Sequence, residues 1–262
     1  MKIVLSDFRI RRSSFIWWSL AVLATVAGVD AFYPSVAQAP AMDQMYAELP
    51  ESLRDLLGPA DITSPVGYLS SQLYLFFLPV VLMVFAIGRA VGSLAGEEED
   101  HTLDLLLAQP ISRNSLYLFK VLAIVISVLI LGVLSLIPSL VLSGPLDFGI
   151  SIVNFVAVTV QMCLVVLLFA SVALAVSAAT GRKVLGIAAA AGYGFAGYLI
   201  DGLGQSVDWL EPLRPLTPWY WFGANDALTN GFSVSGVLVL GGAATGAALI
   251  GMALFNRRNL RS

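Results

Sequence analysis

The sequence has little charge, one histidine and one cysteine. Charged residues make up 12% of its 262 positions, against about 25% in soluble globular proteins, while apolar residues make up 58%. A chain of this length could bury a sizeable core, but it would still need a polar skin, and too few polar residues are present to make one. Lipid is therefore expected around most of its surface. With Cys163 alone, no disulfide can form within the chain. With His101 alone, a zinc or copper site would need carboxylates from a single helical turn, a poor geometry for a closed tetrahedral centre. The chain has no GxxxxGK[ST] phosphate loop and no other nucleotide motif, so any ATP-driven motor must be a separate protein. It is expected to bind no cofactor, metal or nucleic acid of its own.

What the chain has in quantity is long charge-free runs: Ser13 to Val29, Ile62 to Gly88, Val121 to Leu146, Phe148 to Gly181, Val184 to Ile200 and Ala227 to Asn256. A hydrocarbon core about 30 Å thick takes about 20 mostly apolar helical residues. The runs predict an all-α membrane protein of one domain with six transmembrane helices, at approximately 13–33, 66–95, 116–142, 149–179, 184–204 and 233–255. Loops at 34–65 and 205–232 then lie on one face, and a connector at 96–115 on the other. Continuous apolar runs without period-two alternation exclude a barrel. Pro79 and Pro138 fall inside spans, where kinks are expected.

Orientation follows from lysine and arginine. Of the 14 basic residues, 12 fall in the odd-numbered segments, leaving Arg54 and Arg214 on the other side. The positive-inside rule then places both termini in the cytoplasm. The opposite face is read as carrying Asp30, Asp43, Glu48, Glu51, Asp55, Asp61, Asp147, Asp201, Asp208, Glu211 and Asp226, which explains a net charge of −3 despite a basic inner face. An alternative at the N-terminus is a cleavable signal peptide ending near Ala37-Gln38-Ala39. That reading would leave five spans. Trp17 and Trp18 fit an anchor at the inner interface.

Two segments of the outer face have character. In "MDQMYAELPESLRDLLGP", Met42, Met45, Leu49, Leu53 and Leu56 recur at three- and four-residue intervals, an amphipathic pattern that Pro50 divides. Short helices lying on the membrane or capping the bundle are expected. In "DWLEPLRPLTPWYWFGANDALTNG", Trp209, Trp219, Tyr220, Trp221 and Phe222 crowd around prolines. They form either an aromatic belt at the interface, the favoured reading, or the wall of a substrate site.

Small residues mark where helices approach. Gly186, Ala190 and Gly194 recur every four residues in the fifth span, and Gly242 and Gly246 form a GxxxG pair in the sixth. Such faces pack closely in lipid, against the same chain or another subunit.

The densest charge lies in "GEEEDHTLDLLLAQPISR", residues 96–113. It reads as a short helix with its acids at the N-terminus, where the macrodipole favours them. Pro110 breaks it, and Ser112 or Asn114 caps the next helix. Leu103, Leu106 and Leu107 form an apolar patch beyond the acidic turn. The plain reading is a solvated connector. The combination of acids and leucines between two membrane helices equally fits a docking element for a soluble partner.

At these residues the chain resembles the type-2 ABC-transporter permeases. "EEEDHTLDLLLAQPISRNSLYLFK" is similar to the family's acidic run, its Thr-Leu-acidic-Leu-Leu-Leu core, its Pro-Ile-Ser-Arg turn and the later Lys120. "PLTPWYWFGANDALTNG" and "FNRRNL" extend the likeness over nearly the whole chain, and His101 departs from it where the family more often has glycine. The resemblance implies a multi-pass subunit of a prokaryotic plasma membrane that pairs with a second, like permease and with two cytoplasmic ATPase subunits, and that exports an unnamed substrate. ATP and magnesium would belong to the ATPase. It also implies that Glu97, Glu98, Glu99, Asp100, His101 and Arg113 make polar contacts with the ATPase, with Leu103, Leu106 and Leu107 buried against it or against the spans. Two other classes remain open: an autonomous channel or secondary transporter, and a scaffold that transports nothing. Ion coupling usually needs ionisable groups within the spans, and Asn154 and Gln161 are the most polar candidates read there.

Overall fold

A computed structural model describes residues 12–39, 41–57, 61–99 and 112–258. Helix α1 spans Arg12–Ala37, and the short helices α2 and α3 span Ala41–Ala47 and Glu51–Leu57. Helix α4 spans Pro65–Ser93 and is followed by the single turn α5, Ala95–Glu99. Then come α6 (Arg113–Ser143), α7 (Ile152–Thr180) and α8 (Lys183–Leu203). A 3₁₀ turn at Glu211–Leu216 leads to the short helices α9 (Pro218–Phe222) and α10 (Ala224–Asn230), and α11 covers Val234–Arg257. Six of these, α1, α4, α6, α7, α8 and α11, are long and apolar enough to cross a membrane, where six were expected.

Serine starts four of the six. Ser64, Ser112, Ser151 and Ser233 each accept a hydrogen bond from the backbone N–H three residues on, at 3.1–3.2 Å. The hydroxyl satisfies one of the donors that a helix start leaves open, which matters most where no water can do so. Of the two residues weighed as caps of α6, Ser112 has the role.

Helix α4 is irregular before Pro79 and regular after it. Residues Ser70–Tyr74 form a π turn, closed by the Leu75 N–H on the Ser70 carbonyl at 2.7 Å. The α-helix restarts at Phe77, which puts Pro79 in its first turn. There the missing N–H costs nothing, because first-turn N–H groups have no partner within the helix. Pro138 is different: α6 runs straight through it, leaving the Leu134 carbonyl without its usual donor.

The core surrounds α7. Its Phe155, Val158, Met162, Val165, Val166, Phe169 and Ala173 are all fully buried, and α4, α6, α8 and α11 pack around it while α1 lies mainly on α6. The outward sides of α1, α8 and α11 show Trp17, Leu20, Phe32, Val184, Phe195, Val234, Leu238 and Ile250 uncovered. Burying such side chains is worth roughly 1.5–3 kcal/mol each, so their exposure on three helices fits a lipid surround.

Some charges lie inside spans rather than at their ends, Asp30 and Arg89 among them. Asp30, read from sequence as an outer-face residue, is buried in α1 and accepts a 2.8 Å hydrogen bond from Ser139 of α6. Helix α1 does not stop at that carboxylate but runs on through Pro34 to Ala37. Arg89, counted from sequence among the basic residues of the inner face, is buried in α4.

Candidate functional site

The bundle has a clasp end, where α5 and the starts of α6 and α8 meet the end of α11, and a loop end, which holds α2, α3, α9 and α10. At the clasp end, α4 breaks at Leu94 and one short turn carries Glu97, Glu98 and Glu99. Consecutive helical residues point about 100° apart. Three adjacent glutamates must therefore face three directions, and each meets a cation from a different part of the chain.

Glu97 pairs with Lys120 of α6, which is only 3% exposed. Glu98 pairs with Arg258, just past α11, and both side chains are largely buried. Glu99 bonds to the first residue of α8 twice: the Lys183 N–H donates to Oε1 at 3.1 Å, and Lys183 Nζ lies 3.1 Å from Oε2. The backbone N–H of Lys183, then its ammonium, hold the Glu99 carboxyl below the ordinary glutamate range.

Arg258 is the knot of this clasp. Its guanidinium donates to the Ala178 carbonyl at 2.9 Å as well as to Glu98, and its own carbonyl accepts from Arg113 Nη1 at 2.8 Å. Asn256 also bonds Asn114. Room for the guanidinium comes from Gly181, the left-handed cap of α7 at φ +70°. A Cβ there would collide with Arg258, so the position requires glycine for its backbone and for its neighbour.

Arg113 and Glu97 to Glu99 are thus brought together, with partners in this chain. Asp100, His101, Leu103, Leu106 and Leu107 lie outside the described residues. Among the described residues no three His, Cys, Asp or Glu side chains gather as a metal group.

The small-residue faces divide. On α8, a Cβ at Gly186 would sit 2.7 Å from the Ala173 carbonyl oxygen and 2.8 Å from Val91. Ala190 is buried, and Gly194 lies against the Phe169 ring. On α11, Gly242 and Gly246 have nothing within 4 Å of a built Cβ. Of the two partners left open for this pair, the same chain or another subunit, the first does not meet it among the described residues. The face of α11 that meets α7 carries Leu240, Ala244, Gly251 and Phe255; a Cβ at Gly251 would lie 2.7 Å from Ala175 Cα. The sequence signal for that face was the same four-residue spacing in Leu240 and Ala244, two residues and so about 200° out of phase with GxxxG.

At the loop end two polar side chains of α7 are occupied. Asn154 Nδ2 donates to the carbonyls of Leu228 and Thr229 at 2.9 and 3.0 Å, and Gln161 Nε2 to that of Phe222 at 2.7 Å. They fasten α9 and α10 onto the bundle. The aromatic cluster is split as well: Trp209 is exposed, while Trp219 is buried with its Nε1 donating to the Gly194 carbonyl at 2.8 Å.

A family model described as ABC-2 family transporter protein matches residues 1–260. No curated protein matches the chain.

Proposed function

The chain belongs to the ABC-2 family of transporter proteins, and on that footing we propose that it is the permease half of an ATP-driven exporter, coupled to its motor through the clasp end. In this reading the clasp end faces the cytoplasm, two ATPase subunits carrying ATP and magnesium dock there, and a second copy or a related permease completes the pathway.

The observation that supports the coupling role is the fan of Glu97, Glu98 and Glu99. Through it α5 holds α6, α8 and the segment after α11 at once. A push on the connector is passed to three spans instead of one. This divides the labour expected of the segment. The glutamates and Arg113 transmit, and residues 100–111, with Leu103, Leu106 and Leu107 beside Asp100 and His101, make the contact with the ATPase. Glu97 and Glu98 are poor docking groups, because a partner would first have to break a largely buried ion pair.

Two variants separate the roles. Leu106→Glu with Leu107→Glu should abolish co-purification of the ATPase. Glu98→Gln should leave co-purification intact and lower ATP-dependent flux in reconstituted vesicles by tenfold or more. Flux unchanged in Glu98→Gln removes the transmission role. Flux without ATP or an ATPase would instead make the protein an autonomous channel.

The second copy has a candidate face. Gly242 and Gly246 are open in the single chain, and close approach of two helices there needs no side chain to move.

A further inference from the structure

At the loop end, α3, the π turn of α4, α8 and the tryptophan-rich segment line a half-open cavity of about 410 Å³, in the range of small-molecule sites. Three carboxylates line it, Asp55, Asp201 and Asp226, with one guanidinium, Arg214. Arg214 Nε bonds Asp201 at 3.2 Å, and the guanidinium lies 5.4 Å from the centre of the Tyr220 ring. That cation is already committed. Asp55 and Asp226 meet neutral donors only: the Ser206 hydroxyl for the first, Asn230 Nδ2 at 2.5 Å for the second. The wall therefore has two negative charges in excess, which repels an anion and attracts a cation.

Two further features narrow the ligand. Ser70 lines the cavity from the π turn, fully buried, and its hydroxyl has no hydrogen-bond partner. A buried polar group without a partner in the chain is uncommon in native structures and is free to take a donor from outside the chain. Tyr198 and Trp219 also line the cavity, edge to face with ring centres 5.7 Å apart. Trp219 is held in place by its bond to the Gly194 carbonyl. Aromatic faces favour weakly hydrated organic cations over bare metal ions, and among the described residues the acidic groups do not gather as a metal site.

We propose that this cavity binds a small organic ammonium ion. Its charge is offset by Asp55 and Asp226, one of its N–H groups donates to the Ser70 hydroxyl, and its apolar part lies against Tyr198 and Trp219. The site belongs to the single chain and does not depend on an ATPase.

The test uses the full chain in lipid nanodiscs and three probes of one shape: 2-phenylethylammonium, neutral 2-phenylethanol and anionic 3-phenylpropanoate. Equilibrium dialysis against empty discs should show saturable binding of the ammonium, at least tenfold tighter than the alcohol, and none of the carboxylate. Asp55→Asn with Asp226→Asn should weaken the ammonium at least tenfold, and Ser70→Ala several-fold, while Asp208→Asn, outside the cavity, leaves it unchanged. Equal binding of the three probes by the unaltered chain overturns the proposal, with no need for a variant to fold. Ammonium binding that survives in a folded double-Asn variant overturns it equally.

Discussion

The two ends of the bundle are both rich in acid and use it in different ways. At the clasp end Glu97, Glu98 and Glu99 each face a lysine or arginine from elsewhere in the chain. At the loop end Asp55 and Asp226, on the wall of a cavity, bond only to a serine and an asparagine. Paired charges fix helices relative to one another, and removing one member exposes the cost of burying the other. Charges bonded only to neutral groups fix little and leave a field that a ligand can use. The contrast predicts rigidity at one end and binding at the other.

The largest expected effect breaks the clasp. Glu97→Ala strands Lys120, which is 3% exposed, and should destabilise the protein by about 3–5 kcal/mol, the usual cost of leaving a buried charge unpaired. Thermal unfolding in detergent measures it, and Glu97→Ala with Lys120→Met should recover most of the loss. A loss that persists in the double variant would mean that the pair is not what holds α5. Next comes Gly181→Ala, which combines a left-handed backbone with a collision against Arg258. It should cost about 1–3 kcal/mol by the same measurement.

The loop end should respond weakly. Asp226→Asn removes an exposed charge with no cation of its own and should change stability by less than about 0.5 kcal/mol. A loss comparable to that of Glu97→Ala would erase the distinction between the ends.

The smallest effect lies within the clasp. Glu99 is exposed and its carboxyl is held below the ordinary range by the Lys183 N–H and ammonium. Because the folded value is depressed, the contact is complete above the ordinary glutamate value of about 4.3 and is lost as pH falls through the lower, folded value. Carbon-13 NMR of the Glu99 carboxyl, assigned with Glu99→Gln, should give a midpoint below that ordinary value. A midpoint at or above it would show that Lys183 does not hold the carboxyl in solution.

The spans were legible because lipid imposes one rule along the whole sequence: charge-free stretches of sufficient length become helices. The short turn with the glutamates was legible for a similar local reason. What sequence could not give was direction. Glu97 to Glu99 meet cations 23, 160 and 84 residues away, in that order, and nothing local says which. Asp30 was misread because its charge ended an apolar run; its acceptance into the helix depends on Ser139, 109 residues on. Gly251 and Gly246 follow the same spacing rule, yet only one finds a neighbouring helix within the chain. Periodicity defines the faces of a helix, and only packing decides which face is used.

The π turn at Ser70–Tyr74 leaves slack in the line between the two ends. A π turn holds one residue more than the α turn it replaces, so taking it up as ordinary helix rotates everything beyond it by about 100° and shifts it along the axis by about 1.5 Å. Ser70, at the start of that turn, is on the cavity wall, and α5 follows the far end of the same helix. Helix α4 is therefore less a strut than a screw with one spare thread, set where a bound molecule could touch it.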